Sequence, residues 1–216
     1  MNLKLKHTLA IGATLVGVGF FGGALVAQDH KGHDHAGHDH DGMQGDMDPE
    51  KMMEMYMEMG APVEQHARLA AFSGKWNQTQ KHWMEPGAPP MISEAVFTSE
   101  MIMGGRYMVD HVKSEFMGAP FEGRGLTGYD RASKQYFSVW FDNFGTGLMM
   151  TYGDFNEKGE LVMEGEWSDP MSPSGKSWVK TKSSMSGANR SKYEMWGKGE
   201  DGKPSKMMEI KSTRAY

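Results

Sequence analysis

The chain has 216 residues, 23 basic against 28 acidic side chains, 22 methionines and no cysteine. The missing cysteine excludes thiol catalysis, thiolate metal centres, disulfide staples and lipid attachment through a thiol. An acidic balance without a lysine or arginine cluster gives no footprint for nucleic acid and none for an anionic membrane surface.

Taken in chain order, the first element is an export signal. Lys4 and Lys6 precede an uncharged stretch from Thr8 to Ala27 that ends in small residues, with cleavage expected after Ala24 or Ala27. A retained membrane anchor is the alternative, because the stretch is about the ~20 residues that a spanning helix needs. The glycines and small residues favour cleavage, giving residues 1–27 as the signal and an exported chain, periplasmic or secreted. Once the signal is removed, no stable membrane association is expected.

Residues 28–47 follow as a leader of Gly, Asp and His without apolar periodicity, expected to be disordered. Within "DHKGHDHAGHDHDG" stand His30, His33, His35, His38 and His40. Neutral imidazoles bind zinc, copper and nickel, and this spacing lets a flexible chain wrap several around one ion. No folded shell orients the rings, so the expected affinity is modest and unselective among these divalent metals.

Residues 48–73 predict short helices. Asp48 suits an N-cap, Pro49 the first turn and Gly60 a stop, while Met52, Met55, Tyr56 and Met59 share one face. A second helix is expected through "APVEQHARLAAFSG", from Pro62 to near Gly74. Thioethers suit copper(I), but a methionine stripe at helical spacing reads first as packing.

From Gly74 the pattern changes to short alternating runs between turn residues. Ten strands are expected, at 74–84, 91–103, 106–117, 121–130, 134–143, 146–155, 160–169, 176–185, 190–197 and 205–216. Links of hairpin length make neighbours antiparallel, and a meander of this size hides its edges best by closing. The fold class is therefore mainly β: an up-and-down barrel of about ten strands over residues 74–216, behind short helices and the leader.

Two features carry a resemblance. "GKW", Gly74 to Trp76, resembles the Gly-x-Trp opening of lipocalins and other calycins. The ordered series "WMEPG", "EMIMGGRYM", "PFEGRGLTGYD", "WFDNFGTGLM", "SDP" and "MEIKSTR" resembles an exported bacterial family known as domain of unknown function 1579. The likeness runs from about His66 to Tyr216 and implies a calycin-like barrel, without catalytic residues to carry over. A more distant likeness is to the haem-binding, ten-stranded nitrobindin barrels, but no motif matches their haem ligand.

Enzymatic signatures are missing: no Gly-x-Ser-x-Gly elbow, phosphate loop, His-Glu-x-x-His or dinucleotide fingerprint. The leading expectation is a binding protein that takes a small apolar molecule into the barrel. Trp76, Tyr107, His111 and Trp140 are the expected contacts, chosen for aromatic character beside a polar group. His82, Arg106, Tyr136 and Asp142 are further polar candidates. Adjacent Asp110 and His111 must point to opposite faces, and the sequence does not say which faces inward. Metal sequestration by the His- and Met-rich leader is the second expectation. An enzyme using the cavity is the third, without a reacting group to assign. No residue pattern signals an oligomeric state.

Overall fold

The computed structural model describes residues 48–199 and 201–216. Ten antiparallel strands form one closed barrel: β1 (Gly74–His82), β2 (Met91–Ile102), β3 (Tyr107–Phe116), β4 (Ala119–Asp130), β5 (Gln135–Asp142), β6 (Met149–Phe155), β7 (Leu161–Ser168), β8 (Lys176–Met185), β9 (Arg190–Lys198) and β10 (Pro204–Arg214). Each strand pairs with its neighbours in sequence, and β10 returns to pair with β1 from Trp76↔Arg214 to His82↔Met208. Every expected strand is present, with ends shifted by a few residues. The signal and the leader lie outside the described residues.

Two helices precede the barrel. In α1 (Pro49–Met59) the Asp48 carboxylate accepts the Glu50 amide at 3.0 Å, and Gly60 follows the last turn. None of its residues is buried, and within the stripe Met55, Tyr56 and Met59 are 40%, 44% and 51% exposed. The packing account of this methionine stripe is therefore corrected, since the helix lies on no core. Its C-terminal end is tethered instead: Arg131 donates to the carbonyls of Glu58, Met59 and Ala61, and Arg106 to that of Gly60. These are carbonyls that a helix end leaves without an internal partner.

The second helix, α2 (Glu64–Leu69), is shorter than expected. It tightens into a 3-10 turn at Ala70–Phe72, and the chain is extended again by Ser73. The tighter turn presents its carbonyls to the barrel. Trp76 Nε1 donates to Phe72 O at 2.9 Å, and Arg214 donates to Ser73 O at 2.6 Å and Ala71 O at 3.2 Å. The Arg214 guanidinium also lies 4.1 Å from the centre of the Trp76 ring. Leu69, fully buried, drops into the barrel end among Met108, Tyr136, Leu161 and Met163, and Tyr136 Oη donates to Gln65 O at 2.8 Å. This apolar cluster plugs one end of the barrel.

The "GKW" motif thus has a physical role. Gly74 sits at φ +129°, and a Cβ there would collide with the Arg214 guanidinium. Glycine alone allows both the backbone and the arginine to occupy this corner. Arg214→Ala removes charge-assisted donors from carbonyls of the plug and the guanidinium from the Trp76 face, and is expected to lower stability by about 1–3 kcal/mol. Chemical denaturation measures this, with near-UV dichroism reporting the Trp76 environment. An unchanged midpoint would show that the arginine is not what holds the plug.

Candidate functional site

Strand alternation fixes what lies inside. Beyond the plug, one inward step along β3 from Met108, comes Asp110, paired across to Ser99 on β2 and Gly125 on β4. Gly125 pairs in turn with Trp140 on β5, which pairs with Met149 on β6. The Trp140 ring lies over Gly123, where a side chain would collide with it, and packs closely at Gly125. At Gly125 a Cβ would fall 3.2 Å from Asp110 Oδ2 and 3.3 Å from Trp140 Cε3. The carboxyl and the indole therefore meet over a bare patch of β4.

The Asp110 carboxyl is enclosed, and its Oδ1 has no hydrogen-bond partner. Burial pushes its pKa up to about 6, with neighbouring Ser99 opposing the rise. Ser99 Oγ and, on β8, Thr181 Oγ1 are likewise buried without partners. Other inward polar groups satisfy one another. Gln80 donates to Gln78 at 2.8 Å, Gln78 to Ser212 at 3.4 Å, and Thr127 to Ser138 at 3.1 Å. Inward-facing Ser138, Trp140, Met149 and Trp167 are only half-buried.

The end opposite the plug is the mouth. His82 and Phe116 meet edge to face at 5.0 Å, and Phe144 lies 5.9 Å from Phe116 and 5.4 Å from Phe121. Burial holds the His82 imidazole below its ordinary pKa. Asp142 accepts from Trp140 Nε1 at 3.0 Å and from the Phe144 amide at 3.0 Å, tying the mouth loop to the interior indole. On the far side the rim parts. Pairing of β8 with β9 starts only at Lys180↔Trp196, although β8 begins at Lys176 and β9 runs to Lys198. Across the next seam β10 bulges between Lys206 and Met208. A cleft of about 450 Å³ occupies this part of the rim, lined by residues including Trp167, Ser177, Trp178, Gly197 and Met207.

Of the expected contacts, Trp76 and Trp140 face inward, but Trp76 is consumed by the plug. Tyr107 and His111 are corrected: both lie on the outer face. The Tyr107 ring stands against Phe137, and His111 Nε2 is 2.9 Å from Glu122 Oε1, which Arg124 also contacts at 3.2 Å. Asp110 takes the inward position that His111 was expected to hold. His82 and Asp142 belong to the mouth, Tyr136 to the plug, and Arg106 to the outer loop at the closed end. Sequence reasoning did not single out Ser99, Gly125 or Thr181. Among the described residues no three His, Asp or Glu side chains gather as a metal site. His30, His33, His35, His38 and His40 lie outside them.

The geometry defines a closed ten-stranded antiparallel barrel, plugged at one end, with polar side chains among its inward-facing residues. Residues 61–214 match the family model described as "Protein of unknown function (DUF1579)", and the chain belongs to that family. In three dimensions it is similar to Rv2717c from M. tuberculosis, at 12% identity and a TM-score of 0.55 over 72% of this chain and all of that one. That likeness extends to the fold alone. A redesigned β-barrel also matches, at 11% identity and a TM-score of 0.36, covering 72% of this chain and 99% of its own. No curated protein matches the chain in sequence.

The unpaired carboxyl has a measurable cost. Its folded pKa of about 6 lies above the ordinary 3.8, so folding favours the protonated form. Stability from this group is complete below pH 3.8 and is lost as pH rises through about 6. A shift of some two units amounts to about 3 kcal/mol. Asp110→Asn is therefore expected to match the wild type near pH 4 and to exceed it at pH 7–8 by roughly 1–3 kcal/mol. Urea denaturation across this range checks it, and parallel curves for the two proteins would contradict a buried, unpaired Asp110.

Proposed function

We propose that the protein is an exported carrier or sensor that binds a small molecule inside the barrel, without chemistry of its own. The observation that carries this reading is the set of inward polar atoms without partners: Asp110 Oδ1, Ser99 Oγ and Thr181 Oγ1. Leaving such groups unsatisfied costs about 1–3 kcal/mol each, which a well-packed structural core would avoid. A ligand that hydrogen-bonds to them removes that cost. The polar lining favours a ligand with an apolar body and a polar group over a wholly apolar one. Aromatic surface at Trp140, Trp167 and the mouth supports the apolar part. The contact of Trp76 with Arg214 behind a Gly-x-Trp opening supports a calycin-like kinship, and the N-terminal pattern supports export.

Purification of the mature protein from its native host, followed by native mass spectrometry, tests this directly. Bound organic mass is expected in the wild type. Thr181→Leu, which exchanges an unpaired buried hydroxyl for apolar bulk, is expected to keep or raise stability while retention falls. A wild-type protein that carries nothing, and a variant indistinguishable from it, would defeat the reading.

A second reading rests on α1. The exposed thioethers of α1 suit copper(I), and the imidazoles of the preceding sequence suit zinc, copper or nickel. Deleting residues 28–47 is expected to reduce the metal content of the cell envelope while leaving ligand retention by the barrel intact. Unchanged metal content would remove the tract from consideration.

A further inference from the structure

We infer that His66 is an acid-sensitive latch. When its imidazole takes up a second proton, the ring releases the Val63 amide and turns into the groove beside α2, loosening the link between α1 and α2.

The hydrogen bonding fixes the resting state. His66 is buried, and its Nδ1 accepts the Val63 amide at 3.1 Å. A backbone amide can only donate, so Nδ1 holds a lone pair and the ring proton sits on Nε2. A proton on Nδ1 turns this acceptor into a donor that faces a donor. The bond lies at the start of α2, where amides have no partner inside the helix, so its loss falls on the first turn.

The neighbours make a charged ring costly to keep in place. Arg106, between β2 and β3, and Arg131, between β4 and β5, act on the imidazole as like charges. Both are tied down, Arg131 by the carbonyls of Glu58, Met59 and Ala61 and Arg106 by that of Gly60. From β4, Tyr129 meets the imidazole edge to face at 5.7 Å, and Asp130 is occupied by the amides of Ala132 and Ser133. From β5, the Tyr136 hydroxyl is given to Gln65 O. On α2 itself Glu64 is exposed, and the Arg68 guanidinium lies 3.8 Å from the centre of the Phe155 ring. Burial holds the imidazole below its ordinary pKa of 6.5, the guanidiniums add to the effect, and the Tyr129 carbonyl opposes it. The stability that the neutral ring contributes is therefore complete above pH 6.5 and is lost as pH falls through the lower folded value.

The ring also has somewhere to go. A groove of about 540 Å³ is lined by His66 together with Pro62, Ala67, Ala70, Met101 and Gly105. A charged imidazole turned into it reaches water instead of staying enclosed beside two cations. Leu69, further along α2, remains held by the apolar cluster. Acid therefore opens the start of α2 locally and leaves the barrel closed.

NMR of the isotope-labelled mature protein tests this at single residues. The His66 ring is titrated, and exchange of the Val63 amide is compared at about pH 7.5 and roughly one unit below the ring's midpoint, corrected for intrinsic exchange. Protection of Val63 is expected to fall roughly tenfold or more, as loss of one hydrogen bond predicts, while the Val112 amide of β3 keeps its protection. In His66→Asn, whose Oδ1 offers Val63 an acceptor that does not titrate, no such fall is expected. A ring that does not titrate above about pH 4, unchanged protection of Val63, or a fall that survives in His66→Asn would overturn the latch. Reading one amide separates His66 from Asp110, whose titration changes overall stability in the opposite direction. Should the variant not fold, the wild type decides: the ring and the Val63 protection share one midpoint if the latch exists, and separate midpoints overturn it.

Discussion

The contact on which the rest of the structure depends is the stack of Arg214 on Trp76, at the seam where the last strand meets the first. Closing a ten-stranded sheet requires β1 and β10 to find each other across the whole domain, which is a costly non-local pairing. The stack sits on that pairing and also reaches outward from it, because both side chains donate to carbonyls of the α2 turn. One pair of residues thus closes the barrel and seats the plug. Gly74 permits it sterically, and Leu69 and Tyr136 supply the apolar burial that holds the plug in place.

With one end filled, the two halves of the barrel obey different rules. The plugged half is a core of leucine, methionine and tyrosine, where Tyr136 Oη has a partner and Ser73 Oγ has none. The open half contains hydroxyls, amides and carboxyls, of which some satisfy each other and some do not. A domain without disulfides draws its stability from the first half, the outer face and the backbone ladder. On the outer face, Glu194 collects Lys182, Lys192 and Lys206 from three strands. Burial by itself would raise the Glu194 pKa, but the lysines override it and hold the carboxyl at about 2.

The strands were legible because period-two alternation and turn residues are local signals, and ten of them joined by short links leave little choice of topology. The inward face was not legible, for a local reason. In "YMVDHVKSEF" both faces carry apolar residues: Met108 and Val112 on the inside, Tyr107 and Val109 on the outside. His111 attracted attention as a polar group in an apolar strand, yet it belongs to an outer network with Glu122 and Arg124. Only the register of β3 against Gly125 shows that its neighbour Asp110 is the enclosed one. On α1 the helical spacing of methionine was read correctly as a stripe, but spacing cannot say whether anything lies beneath it.

Asp110 is destabilising at neutral pH by the measure of its own raised pKa, and leucine at the same position would not have that cost. The residues around it increase the effect rather than relieve it. Gly125 withholds the side chain that could have covered the carboxyl, Gly123 gives its space to the Trp140 ring, and Asp142 fixes that ring instead of a cation being placed nearby.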